Sequence, residues 1–144
     1  MNVVFTIALS ISLGTAVSVS GLAEEMAEVL GSIGDPFGPV GQLAAILIAT
    51  MLITELLSNN GAAAVMFPVA IATAASADLD PRAFAVAVLI GASCSFLSPI
   101  GYQTNLMVYG LGGYRFSDFA RLGAPLTLVT IVATLVMLPL VMPL

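Results

Sequence analysis

A run of polar residues, Ser58-Asn59-Asn60-Gly61, interrupts a largely apolar stretch between Val40 and Ala75. A second interruption, Ser98-Pro99-Ile100-Gly101-Tyr102-Gln103-Thr104-Asn105, follows further along and is again flanked by apolar residues. These two breaks constrain the fold more than any other feature. Lipid cannot satisfy a free N–H or C=O, so backbone that leaves a helix inside a membrane must be buried in protein or line a wet cavity. Two polar breaks in one short hydrophobic chain therefore point to a small-ion or substrate site near the bilayer midplane.

Composition supports a membrane setting. Of 144 residues, 60% are hydrophobic and 8% charged, with a mean hydropathy of +1.13. A soluble domain carries about a quarter charged residues. At about 20 residues per spanning helix, the length accommodates roughly five or six membrane-embedded segments. Eight acids against three arginines give a net charge of -5, which excludes nucleic acid as a partner because phosphates need clustered Lys and Arg. The absence of histidine and the single cysteine exclude the usual zinc sites and the His-dependent catalytic triads. No nucleophile–base pair remains, so the chain is not read as an enzyme. An acid-only intramembrane protease would need two aspartates in the membrane, and Asp78, Asp80 and Asp118 fall in expected loops. Cys94, among Gly91-Ala92-Ser93 and Ser95, reads as a small residue at a helix contact.

Along the chain, a first helix is expected over 2–18. It lacks a basic start and a small-residue cleavage site, so it reads as a helix joined mid-chain, as if the sequence began inside a larger protein, and not as a signal peptide. Residues 21–31 follow as an interfacial amphipathic helix, with Glu24, Glu25 and Glu28 on one side and Leu22, Met26, Val29 and Leu30 on another. Asp35-Pro36-Phe37-Gly38-Pro39 is a turn. Residues 40–76 form two apolar arms around a tip at 58–61, each arm shorter than the roughly 30 Å a full span needs. The pattern fits a re-entrant hairpin, or two ordinary spans joined by a surface turn; the hairpin is the more economical. Asp80-Pro81 reads as N-cap and first residue of the next helix. That element covers 82–110 as a broken helix, continuous to Leu97, broken at 98–105 and resumed to about Tyr109. A polar, aromatic-bearing connection leads to a last transmembrane helix over 122–143. Arg115 and Arg121 on that connection favour the cytoplasmic side, leaving Arg82 and the mouth of the hairpin on the outer face of a plasma (inner) membrane.

The tip offers specific chemistry. Hydroxyl and amide side chains supply donors and acceptors; the arriving arm ends in free carbonyls and the departing arm begins with free N–H groups. Carbonyl and side-chain oxygens suit a hard cation such as sodium, and N–H groups at a positive helix end suit an oxyanion. The same residues would also serve as plain caps or interhelical bonds. Thr54 lies four residues before Ser58, so on a helix both could reach one ion. Glu55 is the only ionisable residue deep in an apolar arm. It could hold the tip backbone or titrate, and the holding role is favoured because no second intramembrane acid or histidine is present to relay a proton.

At these residues the chain resembles a known family. Thr54-Glu55-Leu56-Leu57-Ser58-Asn59-Asn60-Gly61 is similar to the Thr-Glu-x-x-Ser-Asn-Thr hairpin motif of the divalent anion:sodium symporter family. Ser98 to Gly110 resembles that family's second motif, and Gly101-Tyr102-Gln103-Thr104-Asn105 with Gly113-Tyr114-Arg115-Phe116-Ser117-Asp118-Phe119 resembles its sodium–sulfate permease branch. The resemblance implies an all-α membrane protein of two inverted repeats, each with one re-entrant hairpin and one broken helix, working as an elevator on a dimeric scaffold. This chain would be the C-terminal repeat, with the N-terminal repeat and a homodimer partner as the missing company. By resemblance, sodium would be held by Thr54, Asn59 and carbonyls near Leu57 and Gly101. A small divalent anion, sulfate ahead of dicarboxylate, would touch Ser58, Asn59 and Asn60, with Tyr102, Gln103 and Thr104 nearby. Asn105 would pin that loop, counted with the substrate group, and Glu55, Gly61 and Pro99 would support the framework. No cofactor is implied beyond sodium as coupling ion. Two departures bear on the substrate. Asn60 stands where the family has Thr, and Tyr102-Gln103-Thr104 replaces a Thr-Pro-Pro-like run. No arginine lies near either motif, so neutral dipoles and sodium would hold the anion. The alternative reading is a non-transporting fragment, or a packing subunit of a split transporter.

Overall fold

A computed structural model describes residues 2–142, and all regular structure among them is helical. The first helix, α1 (Asn2–Val19), is apolar on most sides. Several of its hydroxyls are satisfied within the helix: Ser12 Oγ and Thr15 Oγ1 donate to the carbonyls of Ala8 and Ile11, each at 3.0 Å. Bonding back four residues lets a hydroxyl sit in an apolar helix without an outside partner. Gly21, at φ 79, turns the chain into α2 (Leu22–Gly34).

A 3₁₀ turn, Asp35–Phe37, and Gly38 at φ 68 lead into α3 (Gly38–Thr54). The run Leu22–Thr54 is apolar enough to cross a membrane by length and composition, yet this corner folds it back on itself. Gln42 Nε2 donates to Asp35 Oδ1 at 2.6 Å across the corner. The two helices meet backbone to backbone: a Cβ on Gly34 would stand 2.5 Å from Gln42 Cα and 2.6 Å from Gln42 N. The packed face of α2 differs from the expected one. Ala23 and Ala27 are buried, Met26 and Leu30 partly so, while Leu22 and Val29 stay exposed. Small side chains on the contact face allow the close helix approach seen here.

Residues 55–58 separate α3 from α4 (Asn59–Ser76), and Asp80 starts α5 (Pro81–Ser93) by accepting the Arg82 N–H at 2.8 Å. Helices α3, α4 and α5 pack on one another around Leu43, Ile46, Leu47, Met66, Val69, Phe84 and Val88, all fully buried. Helices α1 and α2 pack against α4 from outside.

The broken helix differs from expectation at its start. Helix α5 ends at Ser93, not Leu97, and the irregular segment covers 94–102 before α6 (Gln103–Gly112). The cause is non-local: the Leu97 N–H donates to Glu55 Oε1 at 2.9 Å instead of to its own helix. Gly113, at φ 65, ends α6. The last helix, α7 (Phe116–Val141), starts six residues ahead of the expected 122, because the Arg115 N–H donates to Asp118 Oδ2 at 2.8 Å and organises its first turn. Asp118 is therefore helical, not in a loop. Helix α7 is long and apolar enough to span a membrane. It touches the bundle through α3 and α5, and Gly123 lies against the Phe96 carbonyl where a Cβ would not fit.

Candidate functional site

The tip at 55–58 and the irregular segment at 94–102 meet. Thr54 closes α3 with a fully buried side chain, and its Oγ1 donates to the Ala92 carbonyl at 2.8 Å. The same Oγ1 lies 3.4 Å from Asn59 Oδ1. A hydroxyl has one proton, and with that proton on the shorter bond, Thr54 Oγ1 presents a lone pair beside a second oxygen. Gly101 is buried and packs on the Thr54 carbonyl and Glu55 Cα, while its N–H donates to Ser98 Oγ at 3.2 Å. Thr54, Asn59 and Gly101 are thus brought together as a cluster rich in oxygens. Leu57 stays on the connection, its side chain 42% exposed and its N–H bonded to the Ile53 carbonyl at 2.9 Å.

Around this cluster lies a cavity of about 300 Å³, lined by Thr6, Ser58, Asn59, Asn60, Gly101, Tyr102, Gln103 and Thr104. Two helices begin at its wall. Ser58 caps α4 by accepting the Gly61 N–H at 3.3 Å. Helix α6 begins at Gln103 with no side-chain cap at Tyr102. Its first-turn N–H groups are therefore available to a ligand, and a helix start favours negative charge. None of the lining residues is charged, so the cavity offers dipoles of both senses and no fixed ion.

Asn105 stands apart from that wall. Its Nδ2 donates to the carbonyls of Ser95 at 2.9 Å and Ser98 at 3.3 Å, which clamps the irregular segment from behind. Pro99 is fully buried beneath it. Glu55 lies behind the site as well: Oε1 takes the Leu97 N–H, its main-chain carbonyl faces Ser98 Oγ at 3.4 Å, and Oε2 is buried without a partner.

A sequence profile of the citrate transporter family matches residues 1–143. The chain belongs to that family. That family is one of transporters, not of enzymes. The chain is 49% identical to an uncharacterized transporter of Synechocystis over 92% of its own length and 22% of that protein. It is 42% identical to sodium/sulfate cotransporter 1 of Chlamydomonas reinhardtii, over 86% of its length and 14% of that protein. A sodium-dependent dicarboxylate transporter of Staphylococcus saprophyticus is 26% identical over 92% of the chain and 25% of that protein. The chain thus spans a quarter or less of these relatives.

One wall of the cavity in this citrate transporter family chain does not stand out in the sequence. Thr6 comes from α1. The available signal is spacing: Thr6, Ser10, Gly14 and Ser18 recur every four residues, which lines one face of a helix. That face meets α4, where a Cβ on Gly14 would stand 2.8 Å from the Ala64 carbonyl. Among the described residues there is no group of three or more His, Cys, Asp or Glu able to hold a metal. A cation here would have to rely on hydroxyl, amide and backbone oxygens, the donor set that hard ions take.

Proposed function

We propose that this chain is the C-terminal part of a secondary transporter that moves a divalent anion together with sodium. The observation that carries the reading is the convergence of two helix starts, α4 at Asn59 and α6 at Gln103, on one uncharged cavity next to the Thr54–Asn59–Gly101 oxygens. An anion at the helix starts and a cation at the oxygens would each neutralise the other in a site without charged side chains. Ser58, Asn59, Asn60, Tyr102, Gln103 and Thr104 would hold the anion, and Thr54, Asn59 and backbone carbonyls near Leu57 and Gly101 the sodium. Asn105, Glu55, Gly61 and Pro99 would keep the two breaks in register.

Sulfate leads over dicarboxylate, because the relatives near 40% identity carry the name sodium/sulfate cotransporter and the dicarboxylate transporter is more distant. In this reading 40–76 is a re-entrant hairpin, the chain is one of two inverted repeats, and the assembly works as a dimeric elevator in the plasma membrane. A second reading, a packing piece that transports nothing alone, is favoured by one observation: Leu128, Val129, Val132 and Leu140 of α7 are more than half exposed and await a covering surface. The test is uptake of radiolabelled sulfate and succinate by the full-length transporter in proteoliposomes, with sodium or choline outside. Sodium-dependent uptake that Asn59→Ala abolishes is expected. Uptake indifferent to sodium, or unchanged in Asn59→Ala, would refute the assignment.

A further inference from the structure

The site is neutral on its wall and charged behind it. Glu55 is absent from the lining of the cavity, yet it follows Thr54 directly, and Gly101 packs on its Cα. Only half of its carboxylate is accounted for. Oε1 accepts the Leu97 N–H at 2.9 Å, and Oε2 is buried with no hydrogen-bond partner. Ser95 Oγ, in contact with Gly101, is also buried and without a partner. A buried carboxylate oxygen with no donor is costly, and a positive charge arriving nearby offsets that cost. The arginines do not supply it: Arg82, Arg115 and Arg121 are all exposed, at or near the starts of α5 and α7. A cation bound at the neighbouring Thr54 and Asn59 oxygens would supply it.

We propose that the Glu55 carboxylate sets sodium affinity from behind the site. It does not ligate the ion. Its charge stabilises a cation held by Thr54 Oγ1, Asn59 Oδ1 and nearby carbonyls, while its bond to Leu97 keeps the two breaks together. This rests on the sodium-coupled reading above. Because Thr54 and Glu55 are adjacent, carboxylate and ion lie within about 10 Å, and unit charges at that distance with an effective dielectric near 20 change an equilibrium constant on the order of tenfold.

Glu55→Gln separates the two roles. The amide oxygen can still accept the Leu97 N–H, but the charge is gone. The measurement is a sodium titration of thermal stability on the purified full-length transporter without anion, with potassium as control, followed by anion uptake at saturating sodium. Glu55→Gln is expected to raise the sodium midpoint about tenfold while the anion KM at saturating sodium stays within about twofold; Glu55→Asp should restore much of the sodium affinity. An unchanged sodium midpoint in Glu55→Gln overturns the inference. So does a parallel loss of sodium and anion affinity, which would make Glu55 a structural strap only. If Glu55→Gln does not fold, the aspartate variant decides: a sodium midpoint near wild type supports the charge role, and one as weak as that of Thr54→Val overturns it. A wild-type protein with no sodium response would instead refute the coupling itself.

Discussion

Gly101→Ala tests whether the two breaks must touch. A Cβ there would run into Ser95 Oγ, stand 2.8 Å from the Thr54 carbonyl and 3.1 Å from Glu55 Cα. Ser95 Oγ has no hydrogen bond to lose and can rotate away. The Thr54 and Glu55 atoms belong to the main chain and cannot, so the irregular segment must lift off the tip by a few tenths of an ångström. Overpacking of this kind costs about 1–3 kcal/mol. At roughly 2–4 °C per kcal/mol for a chain of this size, the apparent melting temperature should fall by about 5 °C. The displaced oxygens should weaken sodium-dependent stabilisation more than the melting temperature alone implies. Adding Ser95→Ala should recover only part of the loss, since the main-chain contacts remain. Gly110→Ala is the control: nothing lies within 4 Å of where its methyl group would stand, and an alanine favours the helix by about 1 kcal/mol. The assay is thermal unfolding in detergent across a sodium series. A Gly101→Ala protein with wild-type melting and a wild-type sodium midpoint would refute the tight contact between tip and break.

Thr54→Val keeps the volume but removes the hydroxyl, so the Ala92 carbonyl loses its donor at a cost of about 1 kcal/mol; sodium-dependent stabilisation should be lost, and Thr54→Ser should retain it. Asn105→Asp replaces the amide that donates to Ser95 and Ser98 with an acceptor facing two carbonyls, so uptake should fall at least tenfold; normal uptake would remove it from the framework. Gly34→Ala should destabilise by about 1–3 kcal/mol because the clash is with Gln42 backbone, whereas Gly31→Ala, with open space around it, should be neutral or slightly stabilising. Equal melting temperatures for the two glycine variants would contradict the α2–α3 crossing.

Local chemistry is readable where a residue organises its own neighbourhood. Asp80-Pro81 carries the cap signature and α5 begins there; Ser58 caps α4 with its own hydroxyl. What sequence hides is set at a distance. Phe96-Leu97 has the composition of a helix interior, and α5 ends early because another element takes its groups: Glu55 accepts the Leu97 N–H and Thr54 Oγ1 donates to the Ala92 carbonyl. Asp118 carries no breaker signal until its carboxylate is seen on the Arg115 N–H. The contact face of α2 is hard to read because large apolar residues suggest burial, while helices that cross closely bury alanine and glycine. Thr6 is hard to single out because α1 carries several hydroxyl residues, and only the four-residue spacing of Thr6, Ser10, Gly14 and Ser18 marks the face that meets α4.

The bond from Leu97 to Glu55 bridges 42 residues, and that separation has a consequence for biogenesis. The polar tip is synthesised before the segment that holds it exists. At about 5–20 residues per second of synthesis, Glu55 waits roughly 2–8 s for Leu97 to be made. Until then the Glu55 carboxylate lacks the Leu97 N–H. In the proposed hairpin reading, the tip would be fixed only once the broken helix follows it, so the two breaks would lock together as one late step.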